Sequence, residues 1–337
     1  MCKSFGVAGD YLGQTSSGYR WPYGASMIIS PFNFPLEIPA LQLIGALITG
    51  NKVLVKGDSR VTIVLEQFLK MLLFCGAPPL DFDFISCNGP TMEKLIKTVD
   101  PRIIQFTGSS KVANHLSVLT KGKVKIEDAG FDWKILGPDV SDFDYVAWTC
   151  DQDAYAMSGQ KCSAQSILFV HENWAKKGII EKLRDLAARR TLKDYTNVPV
   201  LSWTNTQIKE HINKLLTIPE SKVLFGGNEL KEHKIPKIYG SFEPTAVYVP
   251  LKEILNEKYN KLVTTELFGP FQIITTYRDY EVENILSILE KMENHLTAAV
   301  VSNDLVFLDK ILGNTVNGTT YAGIRARTTG APQNHWF

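Results

Sequence analysis

The spacing of hydrophobic residues changes repeatedly along the first 130 positions. The apolar run over residues 37–50 has the three-to-four-residue period of a helix and ends at a glycine, whereas Lys52–Lys56 alternates as a strand does. Residues 11–29 are rich in glycine, serine and aromatic side chains, which predicts a pair of strands. The same reasoning predicts further elements: a helix capped by Ser59 and ending at Cys75, a strand over 82–87, a helix over 91–99, a strand over 102–106, a helix opened by Gly108, Ser109 and Ser110, and a strand over 124–126.

Strands that alternate with crossover helices predict a parallel sheet with ligands at the carboxyl ends of its strands. The alternation resumes at residues 166–170, after an irregular stretch centred on Cys162, and continues to about Val316. The pattern therefore predicts two α/β domains with the chemically interesting residues between them and a boundary near residue 130.

Composition narrows the possible partners. Lys+Arg 36 against Asp+Glu 35 gives a net charge of +1, so no broad basic field exists for nucleic acid or an anionic membrane. The apolar stretch over 61–73 is interrupted by polar residues and is too short to span a bilayer. Five cysteines without metal-ligand or disulfide spacing indicate a reducing compartment and predict no metal site. Residues 1–14 show neither an apolar signal nor an Arg-rich transit peptide.

Cys162 is a candidate nucleophile. An isolated cysteine is more often a small buried hydrophobe, but this one follows Gly159, which permits close backbone approach. Lys161 adds positive charge that favours the thiolate. No histidine lies nearby in sequence, which argues against a papain-like protease.

Two other side chains fit the chemistry that a nucleophile needs. Glu127 ends a predicted strand and is the candidate base, with a solvated loop carboxylate as the alternative. Asn33 lies between Phe32 and Phe34 in a loop that two prolines restrict, and is the candidate oxyanion donor. The alternative for Asn33 is an Asx turn ahead of the helix.

Two motifs fit a dinucleotide. The Phe-Thr-Gly-Ser-Ser turn at 106–110 follows a strand and begins a helix, where backbone N–H groups and the helix dipole would favour a pyrophosphate. Glu266 stands in a Thr-Glu-Leu-Phe-Gly-Pro segment, for which the alternative is a helix-end charge before a Gly-Pro stop.

In this order and spacing the motifs resemble the aldehyde dehydrogenase superfamily over essentially the whole chain. The matching positions are Asn33, Lys56, 106–109, Glu127, 159–162 and 266–270. The resemblance implies an α/β fold with a partial Rossmann-like nucleotide-binding domain, an α/β catalytic domain and a remnant oligomerisation hairpin. The expected bounds are 1–22 for the oligomerisation strand pair, 23–130 for the NAD-binding domain and 131–337 for the catalytic domain.

The segments at 127–134 and 159–164 are most similar to the plant-type Δ1-pyrroline-5-carboxylate (glutamate-γ-semialdehyde) dehydrogenase branch. That resemblance implies NAD-dependent oxidation of glutamate-γ-semialdehyde to glutamate in proline catabolism. It also implies a homo-oligomer in the full-length form and a place in the mitochondrial matrix. A cytoplasmic location stays open for this form, as does another short aldehyde substrate.

The resemblance assigns a role to each matching residue. Cys162 would attack the aldehyde carbon, Asn33 would stabilise the oxyanion and Glu127 would activate water. Glu266 would hold the nicotinamide ribose while Phe268 packs beside the ring. The remaining cofactor contacts implied are Ser30, Pro31, Phe32, Lys56, Ser59, Gly108 and Ser109. The substrate contacts implied are Phe34, Ser163, Phe337 and the backbone N–H groups of Gly330 and Ala331, although Gly330 is also consistent with an ordinary turn.

The sequence departs from the family pattern at two motifs and in length. The family's Lys-x-x-Glu, whose glutamate grips the adenine-side ribose, is replaced by Lys-Gly-Asp-Ser at 56–59. NAD rather than NADP therefore depends on the branch resemblance. Ala113 replaces the usual glycine one turn into the phosphate-binding helix. Family members begin upstream and continue past Phe337, so we expect a chain truncated at both ends and unstable when expressed alone.

Three other functions stay open. A CoA-acylating relative would keep the cysteine but lack the hydrolytic Glu127. A cysteine hydrolase needs a histidine partner, and none of the six histidines stands in a motif. A truncated, non-catalytic isoform would bind full-length subunits through residues 11–22.

Overall fold

The computed structural model describes residues 4–6 and 12–329, and the chain divides into two compact units, Met1–Asp128 and Ala129–Phe337. The strands are Ser4–Gly6 (β1), Ser17–Tyr19 (β2), Ala25–Ile29 (β3), Lys52–Lys56 (β4), Phe82–Ile85 (β5), Ile103–Thr107 (β6), Val124–Glu127 (β7), Asp132–Leu136 (β8), Gln165–His171 (β9), Lys222–Phe225 (β10), Thr245–Tyr248 (β11), Phe271–Tyr277 (β12), Thr297–Val301 (β13) and Thr319–Ala322 (β14). The α-helices are Glu37–Ile48 (α1), Thr62–Phe74 (α2), Gly89–Val99 (α3), Ser110–Leu119 (α4), Phe143–Tyr155 (α5), Glu172–Lys176 (α6), Ile179–Ala187 (α7), Asn205–Leu215 (α8), Leu251–Leu255 (α9), Glu257–Val263 (α10), Val282–Glu290 (α11) and Leu305–Leu312 (α12).

The first unit contains a doubly wound parallel sheet. Its strands lie in the order β5-β4-β3-β6-β7, so the chain builds outward from β3 and then crosses back to β6. Buried side chains of α1 and α2, including Leu43 and Leu65, pack on one face. Met92 and Leu116 of α3 and α4 pack on the other. The strand order reverses between β3 and β6, where doubly wound folds bind dinucleotides.

The second unit contains a mixed sheet in the order β10-β11-β12-β9-β8-β13-β14. Only the edge strand β10 is antiparallel to its neighbour. The central strands are buried and are covered on both faces by separate hydrophobic clusters, as expected of parallel strands between helical layers. One parallel and one mixed sheet, both with crossover helices, confirm the predicted α/β fold class.

Some local predictions are wrong. Residues 11–29 do not form a strand pair, because β2 pairs with β1 whereas β3 joins the five-stranded sheet. Ser59 does not cap α2, which begins only at Thr62. Asp58 instead accepts hydrogen bonds from the Arg60 N–H and the Thr62 hydroxyl in the turn before the helix. The strand expected over 82–87 ends at Ile85. No described helix is long and apolar enough to cross a membrane.

Candidate functional site

In the first unit, several predicted cofactor residues meet at the carboxyl edge of the sheet. Ser30 follows β3 and donates its N–H to the carbonyl oxygen of Lys56, the last residue of β4, at 3.0 Å. Gly108 and Ser109 follow β6, on the other side of β3. The structure therefore brings Ser30, Pro31 and Lys56 to the same sheet edge as the Gly108 turn. This edge lies next to the switch point, the place between β3 and β6 where the strand order reverses.

Phe32 and Ser59 lie beside an ion pair between Asp58 and Arg60 at this edge. The Arg60 guanidinium lies 4.2 Å from the centre of the Phe32 ring and donates to both carboxylate oxygens of Asp58 at 2.9 Å. Burial would raise the pKa of Asp58, but hydrogen bonds and charge from Arg60 hold that pKa below its usual value. Asp58 is therefore an ionised carboxylate two residues after β4, and Ser59 beside it is exposed.

Asn33 is buried in the loop between β3 and α1, with 8% of its surface exposed. Pro31 in the same loop is buried, and Phe34 is half-buried. A side-chain amide carries two N–H donors, which is the chemistry that a residue binding a developing oxyanion needs.

Glu127 is the last residue of β7 and pairs with Thr107 at the end of β6. The N–H of Gly108 donates to the Glu127 carbonyl at 3.1 Å, so it extends the sheet. That N–H is therefore engaged, in contrast to the expectation that backbone groups of this turn would face an anion. The half-buried side chain of Glu127 lies at the strand end, where the sequence placed it.

In the second unit, Cys162 lies in an unusual turn, residues 157–163, here called the Cys162 turn. Met157, Ser158 and Gly159 adopt left-handed conformations in succession, with φ of 54°, 51° and 66°. This conformation costs about 1 to 2 kcal/mol per non-glycine residue, so neighbouring structure must impose it.

Two buried side chains hold the Cys162 turn. The Ser158 hydroxyl lies 2.5 Å from the Asn197 side-chain oxygen and accepts the N–H of Val198 at 2.8 Å. Gln160 donates from Nε2 to the Pro199 carbonyl at 2.9 Å. Its side-chain oxygen also accepts the N–H of Leu201 at 2.8 Å. These bonds fix the backbone on both sides of Gly159.

Glycines allow two other loops to approach the turn. A Cβ on Gly159 would clash with the carbonyl oxygen of Gly269, in the loop over 265–269 that carries Glu266 and Phe268. A Cβ on Gly130 would lie 2.8 Å from the Cys162 carbonyl oxygen. The structure therefore brings the Cys162 turn together with this second loop, here called the Glu266 loop, and with the chain that follows Glu127.

These loops lie at the amino ends of their strands. The Cys162 turn precedes β9, the Glu266 loop precedes β12 and Gly130 precedes β8, and these three strands are neighbours. The expectation that ligands face the carboxyl ends of strands thus fits the candidate residues of the first unit but not Cys162. Left-handed turns and loop contacts of this kind are not encoded in hydrophobic periodicity, which is why the sequence pattern missed them.

A buried ion cluster lies on the helix that leads into the Cys162 turn. Asp153 of α5 accepts hydrogen bonds from Lys134 Nζ at 2.7 Å and from Arg327 Nε at 2.9 Å. The Thr328 N–H at 2.9 Å and the Thr329 hydroxyl at 2.6 Å complete the set. Burial would raise the pKa of Asp153, but the charge and hydrogen bond of Lys134 and the other donors hold that pKa below its usual value.

Ser163 is half-buried next to Cys162. The other predicted substrate contacts in the second unit, Gly330, Ala331 and Phe337, lie outside the described residues. Among the residues that the structure does describe, no cluster of His, Cys, Asp and Glu has a metal-binding arrangement.

A family model described as the aldehyde dehydrogenase family matches residues 7–335. The chain belongs to the aldehyde dehydrogenase family. This membership confirms the resemblance drawn from the ordered motifs, and the family fold accounts for the two α/β units.

The chain is 60% identical over 338 residues to "Delta-1-pyrroline-5-carboxylate dehydrogenase 12A1, mitochondrial" from Arabidopsis thaliana, covering 100% of this chain and 61% of the relative. It is 28% identical over 316 residues to a 1-pyrroline-5-carboxylate dehydrogenase from Anoxybacillus flavithermus, covering 88% and 58%. The chain thus spans less than two thirds of the length of these curated relatives.

Among solved structures, a glyceraldehyde-3-phosphate dehydrogenase from Methanocaldococcus jannaschii complexed with NADP superposes with a TM-score of 0.81. The sequences are 21% identical, and the match covers 99% of this chain and 70% of that chain. At this identity the likeness establishes the common fold.

Cys162 is expected to be alkylated faster than the other cysteines, by about tenfold, because Lys161 favours the thiolate. Cys150 is a buried control, since burial raises the pKa of its thiol to about 11. Exposed Cys75 and half-buried Cys87 are accessible controls. Peptide mapping after limiting iodoacetamide measures the order, and faster labelling of Cys75 or Cys87 would contradict the assignment.

Proposed function

We propose that the chain carries the catalytic residues of an NAD-dependent aldehyde dehydrogenase that oxidises glutamate-γ-semialdehyde, formed from Δ1-pyrroline-5-carboxylate, to glutamate. The observation that carries the proposal is the left-handed turn that presents Cys162, held by Ser158 and Gln160 and packed against the Glu266 loop. The names of the relatives support this choice of substrate.

In this mechanism the Cys162 thiolate attacks the aldehyde carbon. The side-chain amide of Asn33 and the backbone N–H of Cys162 donate hydrogen bonds to the resulting oxyanion, where charge develops in the transition state. Glu266 and Phe268 would hold a nicotinamide, which would supply the hydride acceptor for this carbon, so that a thioester remains on Cys162. Glu127 then takes a proton from water, and the hydroxide cleaves the thioester, releases glutamate and regenerates the thiolate.

Chain connectivity supports Glu127 as the base. Gly130 lies against the Cys162 carbonyl and is the third residue after Glu127. Three steps of extended chain span at most about 11 Å, which is the covalent limit on the distance between Gly130 and Glu127. A half-buried carboxylate at a strand end within that radius is suitably placed to activate water.

The first unit supports a dinucleotide at the switch point between β3 and β6. Pro31, Phe32 and Ser109 would border it, with Lys56 and the first turn of α4 near the phosphates. Glu266 and Phe268 would hold the nicotinamide end. The choice of NAD over NADP rests on the branch resemblance, because both Asp58 carboxylate oxygens already accept hydrogen bonds from Arg60.

The relatives also support a proposal about the metabolic pathway, the cellular location and the oligomeric form. We infer a role in proline catabolism in the mitochondrial matrix and a homo-oligomeric full-length form, as the resemblance implies. The Arabidopsis relative carries the word mitochondrial in its name, which supports the location. Phe34 and Ser163, with the predicted anchor at Gly330 and Ala331 and a wall from Phe337, would line the substrate pocket.

The test is reduction of NAD by the soluble fraction of the 337-residue chain, isolated by gel filtration, with Δ1-pyrroline-5-carboxylate. We expect NADH formation that is lost in Cys162→Ala and retained in Cys75→Ala, because only Cys162 forms the covalent intermediate. NADP in parallel is expected to support a lower rate. NAD binding without turnover would instead favour the non-catalytic partner, and equal activity of Cys162→Ala would contradict the mechanism.

A further inference from the structure

A short stretch of the second unit, residues 197–202, contacts both the Cys162 turn and the Glu266 loop. We call it the bridge. It bonds the Cys162 turn through the side chains of Ser158 and Gln160. At its other end the Ser202 hydroxyl donates to the carbonyl oxygen of Phe268 in a short hydrogen bond.

The bridge is itself fixed to the rest of the second unit. Val200 is fully buried and exchanges two backbone hydrogen bonds of 2.8 Å with Gly240. Asn197 is buried, receives the Ser158 hydroxyl and donates from Nδ2 to the Phe242 carbonyl at 3.2 Å. A segment with its polar groups engaged on both sides in this way resists local opening.

The two contacted loops also touch directly through their backbones. Gly159 packs against the Gly269 carbonyl without room for a side chain, so this contact limits how closely the loops approach. The side-chain bonds to the bridge hold the left-handed residues on one side and the Phe268 carbonyl on the other.

We propose that the bridge is a positioning element that sets the Cys162 thiol relative to the nicotinamide-ribose contact at Glu266 and Phe268. Ser202 acts on the cofactor side, whereas Ser158 and Gln160 act on the thiol side. The proposal rests on the proposed function, because it takes the Glu266 loop as the cofactor contact. None of these three side chains is required to touch the reacting atoms, so each is a positioning residue.

The proposal predicts that the two sides can be perturbed separately. Ser202→Ala removes the hydroxyl bond to Phe268 and is expected to weaken NAD binding about fivefold, as loss of one hydrogen bond does. The Cys162 alkylation rate should stay within about twofold of wild type. Gln160→Ala releases the left-handed turn and is expected to slow Cys162 alkylation about tenfold with a smaller change in NAD affinity.

The measurements are NAD titration by calorimetry and the iodoacetamide rate at Cys162, both on the 337-residue chain. Thr217→Val is a matched control, since it also deletes a hydroxyl-to-carbonyl bond, to Lys214 at the end of α8, away from both loops. Ser202→Thr keeps the hydroxyl and should restore NAD affinity, which a packing defect would not explain. Gln160→Glu, which keeps an acceptor for Leu201, gives a second test if Gln160→Ala does not melt cooperatively.

The outcomes separate the two proposals. If the wild-type chain binds NAD and Ser202→Ala binds it equally well, the bridge proposal fails while the proposed function stands. Parallel loss of both readouts in both variants would also overturn it, because that result indicates a general structural role. If the wild-type chain binds no nucleotide, the proposed function fails, and the alkylation rates of Gln160→Ala and wild type still decide the thiol side.

Discussion

Glu127→Gln is expected to lower steady-state NADH production by about 10²- to 10⁴-fold, the usual contribution of a general base. The amide cannot take the proton from water, so the Cys162 thioester would accumulate. Hydride transfer precedes that step, so a first burst of NADH close to one per active site should remain. Stopped-flow absorbance of NADH measures both phases.

Asp128→Asn provides the control for Glu127→Gln. It removes a half-buried carboxylate at the next position and should leave burst and steady state nearly unchanged. If Glu127→Gln loses the burst together with the steady state, Glu127 acts before hydride transfer, in activating Cys162 or in maintaining structure, and the assigned role is wrong.

Asp153→Asn is expected to lower the free energy of unfolding by about 3 to 5 kcal/mol, because it leaves the fully buried Lys134 ammonium without its counter-charge. Asp144→Asn is the surface control. Its partner is Lys182, its side chain is 81% exposed, and the expected change is below about 1 kcal/mol. Urea unfolding at neutral pH measures both, and equal midpoints would contradict the account of the buried cluster.

The same cluster predicts the sign of an acid effect. Because the folded-state pKa of Asp153 lies below its unfolded value, its stabilising contribution is complete above the unfolded pKa and disappears as pH falls through the folded pKa. Wild type should therefore lose more stability than Asp153→Asn when the pH falls below about 4. Replacing both charges in Lys134→Met/Asp153→Leu should recover part of the loss seen at neutral pH, since the fully buried Lys134 ammonium is removed and Arg327, the other cationic partner of Asp153, is 28% exposed.

The sequence predicted the order of strands and helices because their periods reflect burial on one or two faces. Lys52–Lys56 alternates and became β4 with those bounds, and residue 127 ends β7 as expected. Motifs at strand ends then placed Gly108 and Ser30 at one sheet edge, because parallel strands align their ends. These inferences needed only local patterns and the handedness of crossover connections.

Contacts between residues that are far apart in the sequence were not predicted. The left-handed run at 157–159 depends on bonds to residues about 40 positions away, and no local preference marks Met157 or Ser158 for that conformation. The sequence identifies Lys134 only as part of a segment that resembles the family. Its partner Asp153 lies on the next helix, and the other donors to Asp153 lie some 175 residues after Asp153. β1 and β2 pair across a separation that the glycine-rich composition of 11–29 did not reveal.

The most direct test of the central claim is the mass of the Cys162 peptide from Glu127→Gln protein mixed with Δ1-pyrroline-5-carboxylate and NAD and quenched in acid. The account predicts one glutamyl group, in thioester linkage to Cys162, that forms only when NAD is present and is released by hydroxylamine. An unmodified Cys162 peptide despite a burst of NADH, or the same group on another cysteine, would contradict it.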